Sequence, residues 1–353
     1  MIRKNVIGLM SGSSLDGLDI VDADFVFDGK WHFNIIKAEN IPYDISWTEK
    51  LSGAFTKDIE SIKKLDLEYG DFIGECTCDF IKRHKLRPDL IASHGHTVFH
   101  RPEEGCTLQI GCGRNIADKC GVTVINNFRA EDVAKGGQGA PLVPVGDKLL
   151  FTDYQLCLNI GGISNISFDM NDKRIAYDIC IANQLLNHIA KKNGLEYDKD
   201  GALAAKGTVN EGLLRFLKNN EYYSKPAPKS LGREFFETFQ RKTIDESFLC
   251  TEDLEATAVE YIAEEIAESV NELPSGKMLV TGGGALNTFL IKRIEYLCRH
   301  KVVIPQKEII DYKEALIFAF LGLLKDLGET NVFCSVTGAS SDSSSGDVWK
   351  INC

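Results

Sequence analysis

The sequence predicts a two-lobe α/β fold in which each lobe opens with a strand hairpin. Residues 8–19 and 156–168, about half the chain apart, both place small and polar residues between runs of Val, Ile, Leu and Phe. Such segments are typical of hairpins, and their recurrence indicates a duplicated architecture. A length of 353 residues also suits two domains better than one core. We therefore expect two lobes, 1–150 and 151–353, whose hairpins face each other across a cleft.

In the first lobe, apolar content and spacing predict each element in turn. Apolar residues at 6–10 and 20–27 indicate the two strands of the first hairpin. Between 58 and 84, apolar residues recur at the three- and four-residue spacing of an amphipathic helix. Glycine and proline at 136–144 indicate a loop, so we place the lobe boundary near residue 150. The other predicted elements are strands at 31–41, 90–92, 107–110 and 122–128 and a helix at 114–120.

The second lobe mixes strand-like and helical segments. Its hairpin at 156–168 is followed by a short strand at 174–177. A run of small polar residues at 338–346 predicts a loop near the C-terminus. The remaining predictions are helices at 182–192, 209–219, 233–240, 252–271, 285–297 and 311–327, and strands at 277–280 and 301–304.

Composition argues against several classes of protein. Acidic residues outnumber basic residues by 51 to 40, and the resulting net charge of −11 argues against nucleic-acid binding. The 11 cysteines are scattered without a C-x-x-C pair, so we expect reduced thiols rather than disulfides or a metal centre. No window approaches the roughly 20 apolar residues of a membrane span, and the N-terminus lacks the apolar core of a signal peptide. We expect a cytoplasmic protein with no membrane partner.

The turn of the first hairpin is suited to holding phosphate. Its glycines allow backbone N–H groups to converge on an anion, and its serines add hydroxyl donors. Its two aspartates could hold a metal ion that shields phosphate charge. An ordinary tight turn is the alternative interpretation. The residues concerned are Gly12, Ser13, Ser14, Asp16, Gly17 and Asp19.

Two further glycine turns have the same character. Gly161 and Gly162 lie in the turn of the second hairpin. A triplet follows the predicted strand at 277–280, where a backbone can approach a ligand closely at the start of a helix. A tight strand-to-helix turn would explain the triplet equally well. Its members are Gly282, Gly283 and Gly284.

Phosphoryl transfer also needs a carboxylate that accepts a proton, and Asp178 is the candidate. It follows a predicted strand and precedes a predicted helix, so its carboxylate would lie at the cleft; a helix N-terminal carboxylate is the alternative. The spacing of His94 and its two neighbours at 96 and 100 is a poor match to metal sites, and we interpret them as hydrogen-bonding groups for a polyhydroxylated ligand.

Two other charged groups are candidates for ligand binding. Arg129 beside Asp132 suits an acidic substituent or hydroxyl groups, although a salt bridge within the lobe is equally consistent. Glu314 lies on a strongly apolar predicted helix, where an inward-facing carboxylate would be costly unless it served a ligand, whereas an outward-facing one would be ordinary.

Taken in order, these motifs resemble those of the anhydro-N-acetylmuramic acid kinases, sugar kinases of the actin, hexokinase and heat-shock ATPase superfamily. The similarity runs nearly end to end, and so many ordered matches are more specific than any one of them. The matching segments are 8–19, 93–100, 127–144, 159–165, 228–234, 281–287, 314–320 and 337–339.

The resemblance implies an actin-like, hexokinase-like ATPase fold of duplicated ribonuclease H-like domains with a central nucleotide cleft. It further implies ATP with Mg²⁺, a homodimer, and a role in peptidoglycan recycling. The family opens the 1,6-anhydro bridge of its sugar with water while it phosphorylates O6. Carried over to this chain, residues 12–19 meet the ATP phosphates and Asp178 activates the water. The implied sugar-side residues are His94, Thr97, Arg129, Asp132, Asn183 and Glu314.

The chain departs from the family pattern at a few positions. Where the family typically reads Asp-Thr-Gly-Pro-Gly-Asn, this chain reads Asp178-Ile-Cys-Ile-Ala-Asn183. His96 stands where the family usually has Gln, and Asn127 where it usually has Asp. Two alternatives therefore stay open: a related amino-sugar kinase with a shifted acceptor, and a non-catalytic nucleotide- or sugar-binding homologue.

Overall fold

The computed structural model describes residues 1–12 and 14–351, and it divides the chain into two compact units. The first unit comprises Met1–Phe151 and Tyr312–Cys353, and the second comprises Thr152–Asp311. The division after Phe151 adjoins the boundary expected near residue 150. It differs from the expected second lobe of 151–353, because the C-terminal segment packs within the first unit.

The elements are numbered along the chain. The strands are β1 (Ile2–Ser11), β2 (Gly17–Phe27), β3 (Trp31–Pro42), β4 (Leu90–Ser93), β5 (His96–Arg101), β6 (Cys106–Ile110), β7 (Val124–Asn126), β8 (Leu156–Ile160), β9 (Ile163–Met170), β10 (Lys173–Ile181), β11 (Lys277–Thr281), β12 (Lys301–Val303) and β13 (Asp347–Trp349). The helices are α1 (Ile45–Ser52), α2 (Ile59–His84), α3 (Gly113–Cys120), α4 (Ala130–Ala134), α5 (Pro144–Leu150), α6 (Asn183–Lys191), α7 (Glu211–Lys218), α8 (Glu221–Ser224), α9 (Arg233–Phe235), α10 (Arg241–Asp245), α11 (Thr251–Val270), α12 (Thr288–Leu297), α13 (Lys307–Asp326) and α14 (Cys334–Thr337).

The first unit is built on a sheet with the strand order β13-β7-β4-β1-β2-β3. Successive residues of β1 face opposite sides of this sheet. Ile7 joins a core with Tyr69 and Ile73 of α2. Gly8 faces the other side, where a Cβ would overlap the carbonyl oxygen of Ala315 in α13. The glycine therefore lets α13 lie directly on β1, which is one reason that the C-terminal segment belongs to this unit.

The polar C-terminal segment, expected to be a loop, is ordered around one asparagine and ends in a strand. Asn331 is buried; its side chain donates to the carbonyls of Leu321 (3.0 Å) and Ser345 (2.8 Å) and accepts from the N–H of Ser345 (2.7 Å). β13 then pairs antiparallel with β7, and the indole of Trp349 donates to Asn126 at 2.9 Å. A three-residue strand carries too little alternation to be recognised from sequence.

The second unit is built on a sheet with the strand order β10-β9-β8-β11-β12. The β8–β9 hairpin is antiparallel, and β11 runs parallel to β8. α6, α11 and α12 pack against the sheet with a common apolar core that includes Leu185, Ile262 and Ile294. The carboxyl ends of β8 and β11 consequently lie side by side, and each is followed by a glycine turn.

Several predicted boundaries shift in the structure. The helix expected over 285–297 begins at Thr288, because Asn287 caps it by accepting from the N–H of Leu290 at 3.0 Å. The glycine triplet leads instead into a 3₁₀ turn, Gly283–Leu286. The strand expected over 122–128 is confined to β7, and the helix expected from residue 311 begins at Lys307. In the part of the chain described, no helix is both long and apolar enough to cross a membrane.

Candidate active site

A row of polar side chains crosses the sheet of the second unit. Asp178 of β10 lies opposite Asn165 of β9, which lies opposite Asn159 of β8. Thr281 of β11 pairs with Asn159 from the other side. Residues opposite each other in neighbouring strands share a face of the sheet, so the four side chains form one row. Of this row, only Asp178 is among the residues predicted from the sequence, because spacing within a strand does not reveal the register between strands.

Asp178 is held as a general base would be. It is half-buried, and its Oδ2 accepts the N–H of Leu231 at 2.9 Å. Its main chain is also fixed, since its N–H donates to Lys229 (3.2 Å) and its carbonyl accepts from the hydroxyl of Tyr222 (2.7 Å). Within the described residues no hydrogen bond reaches Oδ1. Burial raises the pKa of Asp178, and the Leu231 N–H partly offsets this. One oxygen is thus anchored, and the other can accept a proton.

The residues that follow Asp178 continue the strand into the core. The pairing of β10 with β9 shifts register between Asp178 and Cys180, and the hydroxyl of Ser164 donates to the carbonyl of Cys180 at 3.1 Å. Bulges of this kind are common beside active sites, where they re-aim a side chain. Ile179, Cys180, Ile181 and Ala182 are all buried in the core of the second unit. The residues that depart from the family pattern therefore fill the core.

Asn183 ties the start of α6 to the second hairpin turn. Its main-chain N–H donates to Gly161 at 3.1 Å, and its side-chain amide donates to the carbonyl of Ile160 at 3.1 Å. The N–H of Ala182 donates to Gly162 at 2.8 Å. The structure thus places Asn183 beside the two predicted glycines and gives its amide nitrogen a role in holding the turn.

The predicted glycines of the second unit fall into two groups. Gly282 has a φ of +80°, and a Cβ there would lie 2.7 Å from Asn159; a Cβ on Gly284 would overlap Ile160. Packing within the unit requires glycine at both positions. At Gly161, Gly162 and Gly283 a Cβ would meet no atom of the described residues closer than 3.4 Å. Internal packing does not require these three glycines, which is consistent with close approach by a ligand.

We expect two neighbouring alanine substitutions to differ sharply in stability. Gly284→Ala should lower the free energy of unfolding by about 1–3 kcal/mol, because the added methyl overlaps Ile160. Gly283→Ala should change it by less than about 0.5 kcal/mol, because its Cβ would meet only the side chain of Asn183, at an ordinary contact distance of 3.6 Å. Urea unfolding followed by far-ultraviolet circular dichroism measures both. Equal losses in the two variants would contradict this division of the glycines.

The turn of the first hairpin shows a similar division. A Cβ on Gly17 would lie 2.6 Å from the carbonyl oxygen of Ile41, so β3 requires this glycine, whereas a Cβ on Gly12 would meet only the end of the Ser14 side chain, at 3.3 Å. Asp16 accepts from Ser14 at 2.7 Å, and Asp19 accepts from Asn40 at 2.8 Å. The predicted Ser13 lies outside the described residues. No group of three His, Cys, Asp or Glu in the described chain is arranged as a metal centre.

Arg129 is oriented by His94. Its Nε and Nη2 donate to Nε2 of His94 at 3.1 and 2.9 Å. Nε2 must then accept, so the ring proton is on Nδ1, which donates to the carbonyl of Gly95 at 3.0 Å. Burial and the guanidinium hold the pKa of His94 well below its usual range. His94 is therefore neutral, both of its ring nitrogens are engaged inside the first unit, and it orients the guanidinium of Arg129.

Asp132 is connected to the guanidinium of Arg129 through the backbone of Gly139. It is fully buried, and its two oxygens accept from the hydroxyl of Thr337 and the N–H of Gly139, both at 2.7 Å. The carbonyl of Gly139 accepts a hydrogen bond from Nη1 of Arg129, also at 2.7 Å. Both oxygens of Asp132 are thereby engaged within the first unit. Thr97 is half-buried on β5 and accepts from Gln109 at 3.4 Å.

Glu314 remains available to a ligand. Its side chain is exposed to water, yet surrounding protein desolvates it and raises the pKa of its carboxyl, while Arg129 and Lys313 lower it. Burial lowers the pKa of Arg129 to about 10, so its guanidinium stays charged at neutral pH. Because water reaches Glu314, we interpret it and Arg129 as the charged groups that the first unit can present to a polar ligand.

A largely buried network of hydroxyls and an imidazole lies at the end of β1 and is not predicted from the sequence. Tyr43 donates to Ser11 at 2.8 Å and lies 2.6 Å from the hydroxyl of Tyr69. Ser11 in turn lies 3.1 Å from Nδ1 of His96. Burial lowers the pKa of His96 to about 4. The residues come from β1, the loop between β3 and α1, α2 and β5, so no local pattern links them.

Replacing His96 with Gln should flatten the pH dependence of stability. In the unfolded chain the imidazole gains a proton near pH 6.5, but in the fold only near pH 4. Between these values the unfolded state binds more protons, so the stability that is complete above pH 6.5 is lost as the pH falls. From pH 7 to pH 4 the variant should lose about 3 kcal/mol less than the wild type.

Urea unfolding followed by tryptophan fluorescence measures this difference, because every tryptophan of the chain belongs to the first unit. Identical pH profiles for the two proteins would contradict a buried neutral His96. The tryptophans are Trp31, Trp47 and Trp349.

Comparison with known proteins identifies full-length relatives. A family model described as anhydro-N-acetylmuramic acid kinase matches residues 4–350. The chain is 35% identical over 370 residues to the anhydro-N-acetylmuramic acid kinase of Pasteurella multocida, covering 97% of this chain and 96% of that protein. It is 36% identical over 369 residues to the enzyme of the same name from Aliivibrio fischeri, covering 99% and 100%.

Solved structures give weaker likenesses. Component A of the (R)-2-hydroxyglutaryl-CoA dehydratase of Acidaminococcus fermentans is 13% identical with a TM-score of 0.47, covering 93% of this chain and 100% of that one. A ROK hexokinase from Thermus thermophilus is 14% identical with a TM-score of 0.40, covering 91% and 100%. Likenesses at this level carry no argument about the site.

Proposed function

The chain belongs to the anhydro-N-acetylmuramic acid kinase family, and from this premise we propose that it converts 1,6-anhydro-N-acetylmuramic acid, water and ATP to N-acetylmuramic acid 6-phosphate and ADP. Water adds to the anomeric carbon as the bond from that carbon to O6 breaks. O6 takes the terminal phosphoryl group of ATP, and one proton is released. The reaction would serve peptidoglycan recycling.

The observation that carries this proposal is the setting of Asp178. Its carboxylate has one oxygen anchored by Leu231, a second oxygen without a hydrogen bond from the described residues, and a raised pKa. A base of this kind accepts the proton of the attacking water most effectively when its pKa lies closer to neutrality. Asn165 lies next to Asp178 in the polar row, where its amide can hydrogen-bond the water or a sugar hydroxyl.

For ATP, we propose that the phosphates are held by the glycine turns. Gly161, Gly162 and Gly283 leave space for close approach, and Gly12 does the same in the first hairpin. Gly17, Gly282 and Gly284 shape these turns without needing to contact the nucleotide. Bound ATP supplies the phosphoryl group, and Mg²⁺ neutralises phosphate charge. The residues that would hold the ion are Asp16 and Asp19, whose carboxylate oxygens are ligands that Mg²⁺ prefers. The hydroxyls of Ser13 and Ser14 would donate to the phosphates.

For the sugar, we propose that Arg129 binds the carboxylate of the muramic acid. A guanidinium held at three of its nitrogens is pre-organised for a carboxylate. Glu314 would accept from sugar hydroxyls, and Thr97 would contact the sugar from β5. His94 and Asp132 act through Arg129, and Asn183 acts by holding the hairpin turn.

A shifted acceptor and a non-catalytic homologue were suggested by residues 179–182. These residues fill the core of the second unit, which leaves Asp178 and Asn183 in defined positions at the two ends of the segment. We therefore retain the anhydro sugar as the acceptor. We also propose that the protein acts in the cytoplasm as a homodimer, as the resemblance implies.

The purified protein with ATP and Mg²⁺ should release ADP fastest with 1,6-anhydro-N-acetylmuramic acid among a panel of amino sugars. The panel includes N-acetylmuramic acid, N-acetylglucosamine and N-acetylmannosamine. Faster turnover of one of these sugars would support a shifted acceptor, and no sugar-dependent ADP release would support a non-catalytic protein. Sedimentation velocity on the same sample measures whether it is a dimer.

A further inference from the structure

A cavity lies in the second unit beside the strand that carries Asp178. Its volume of about 600 Å³ is that of a site for a small molecule. Apolar and aromatic side chains form part of its wall, and two lysines and three glutamates form much of the rest. The lining residues that matter are Tyr177, Ile179, Tyr223, Ala227, Lys229 and Glu265. None of them belongs to the site proposed for ATP and the sugar.

Glu265 of α11 is the unusual group in this cavity. Its side chain is only 4% exposed, yet no described residue gives its carboxyl a hydrogen bond. Burial raises its pKa to about 7, and Glu268 adds to this effect while Lys218 and Lys229 oppose it. A buried carboxyl without a partner costs free energy. A ligand that donated to it from the cavity would remove that cost.

The lysines at the cavity are already engaged elsewhere. The ammonium of Lys229 donates to the carbonyls of Tyr222 (3.3 Å) and Tyr223 (3.0 Å). Lys225 forms an ion pair with Glu221 at 3.4 Å. Neither lysine hydrogen-bonds Glu265, and Glu272 adds a further carboxylate at the rim. Glu268 pairs with Lys218 at 2.6 Å. Glu265 and Glu272 are thus two carboxylates against one lysine, Lys229, that forms no ion pair with a described residue, and the net charge of the cavity is negative.

We propose that this cavity binds a small molecule that carries a primary ammonium group on a short apolar body. The ammonium donates to the carboxylate of Glu265, and the apolar body lies against Tyr177, Ile179 and Ala227. A cation is favoured over an anion because the unengaged groups of the cavity are carboxylates, and an ammonium offers several donors to a carboxyl that has no donor of its own.

The test uses the full chain and three probes of equal length: n-pentylamine, 1-pentanol and pentanoate. By isothermal titration calorimetry at pH 8, n-pentylamine should bind saturably and at least about tenfold more tightly than either other probe. Glu265→Gln should lower the affinity for n-pentylamine at least about tenfold. Glu272→Gln, which removes an exposed carboxylate at the rim, should change this affinity by less than about twofold.

A second variant keeps the carboxyl of Glu265 and fills the cavity with a larger side chain. Ala227→Trp, at the mouth of the cavity, should abolish saturable binding of n-pentylamine while Glu265 is intact. Glu265→Gln should melt no lower than the wild type, since it removes a desolvated acid. Tighter binding of pentanoate, no saturable binding of n-pentylamine, or equal weakening by Glu265→Gln and Glu272→Gln would each overturn the proposal. These outcomes leave the kinase proposal untouched, because they do not measure sugar turnover.

Discussion

Asp178→Asn is expected to lower turnover by about 10²- to 10⁴-fold while nucleotide affinity is retained. An amide oxygen can still accept the N–H of Leu231, so the side chain should keep its place. The amide cannot take the proton of the attacking water, and the chemical step should therefore fail. Coupled measurement of ADP release gives kcat, and isothermal titration calorimetry with a non-hydrolysable ATP analogue gives the affinity.

Asp172→Asn is the matched control for this substitution. Asp172 lies six residues earlier, in the exposed turn between β9 and β10, and asparagine tolerates its φ of +62°. Its turnover should equal that of the wild type. Wild-type turnover in Asp178→Asn would remove the assigned base, and a parallel loss of nucleotide affinity would indicate a structural role instead.

Asp147→Ala is expected to lower the free energy of unfolding of the first unit by about 3–5 kcal/mol. Asp147 forms an ion pair with Lys313 at 2.7 Å, and both side chains are 5% exposed. Removal of the carboxylate takes this ion pair from the buried ammonium of Lys313, which also lies 5.4 Å from the centre of the Phe151 ring. Urea unfolding followed by tryptophan fluorescence reports on this unit alone.

A double variant distinguishes the contribution of the ion pair to stability from that of the packing around it. Asp147→Leu with Lys313→Met replaces both charges by apolar groups and should be less destabilised than Asp147→Ala alone. Lys63→Ala, which breaks an exposed pair with Glu60, should cost less than about 1 kcal/mol. A loss of this small size in Asp147→Ala would show that the buried pair does not stabilise the first unit.

Apolar patterns predicted most strands and helices, because alternation and helical spacing are local properties. Glycine motifs also predicted the turns that follow β1, β8 and β11, but they could not show which of the glycines are required for packing. Gly283 and Gly284 are adjacent in sequence, yet only Gly284 faces Ile160. That distinction depends on how β11 lies against β8, which no local pattern contains.

The candidate site shows the same limit. Asp178 was selected from its position after a strand, and the structure adds the Leu231 contact that orients it, from a segment more than fifty residues away. The sequence shows that His94 and Asp132 are polar, but not that their side chains are buried. The hydrogen bonds from Arg129 to His94, 35 residues away, and from Thr337 to Asp132, 205 residues away, are long-range contacts that only the fold defines.

The most direct test of the proposed chemistry is a reaction in H₂¹⁸O, with the product quenched quickly and examined by mass spectrometry and ³¹P NMR. If water opens the anhydro bridge, the heavy isotope enters at the anomeric carbon and the oxygen between C6 and phosphorus stays unlabelled. Unlabelled product held in H₂¹⁸O for the same time corrects for spontaneous exchange. Heavy oxygen in the phosphate group, or none in the sugar beyond that correction, would contradict the account.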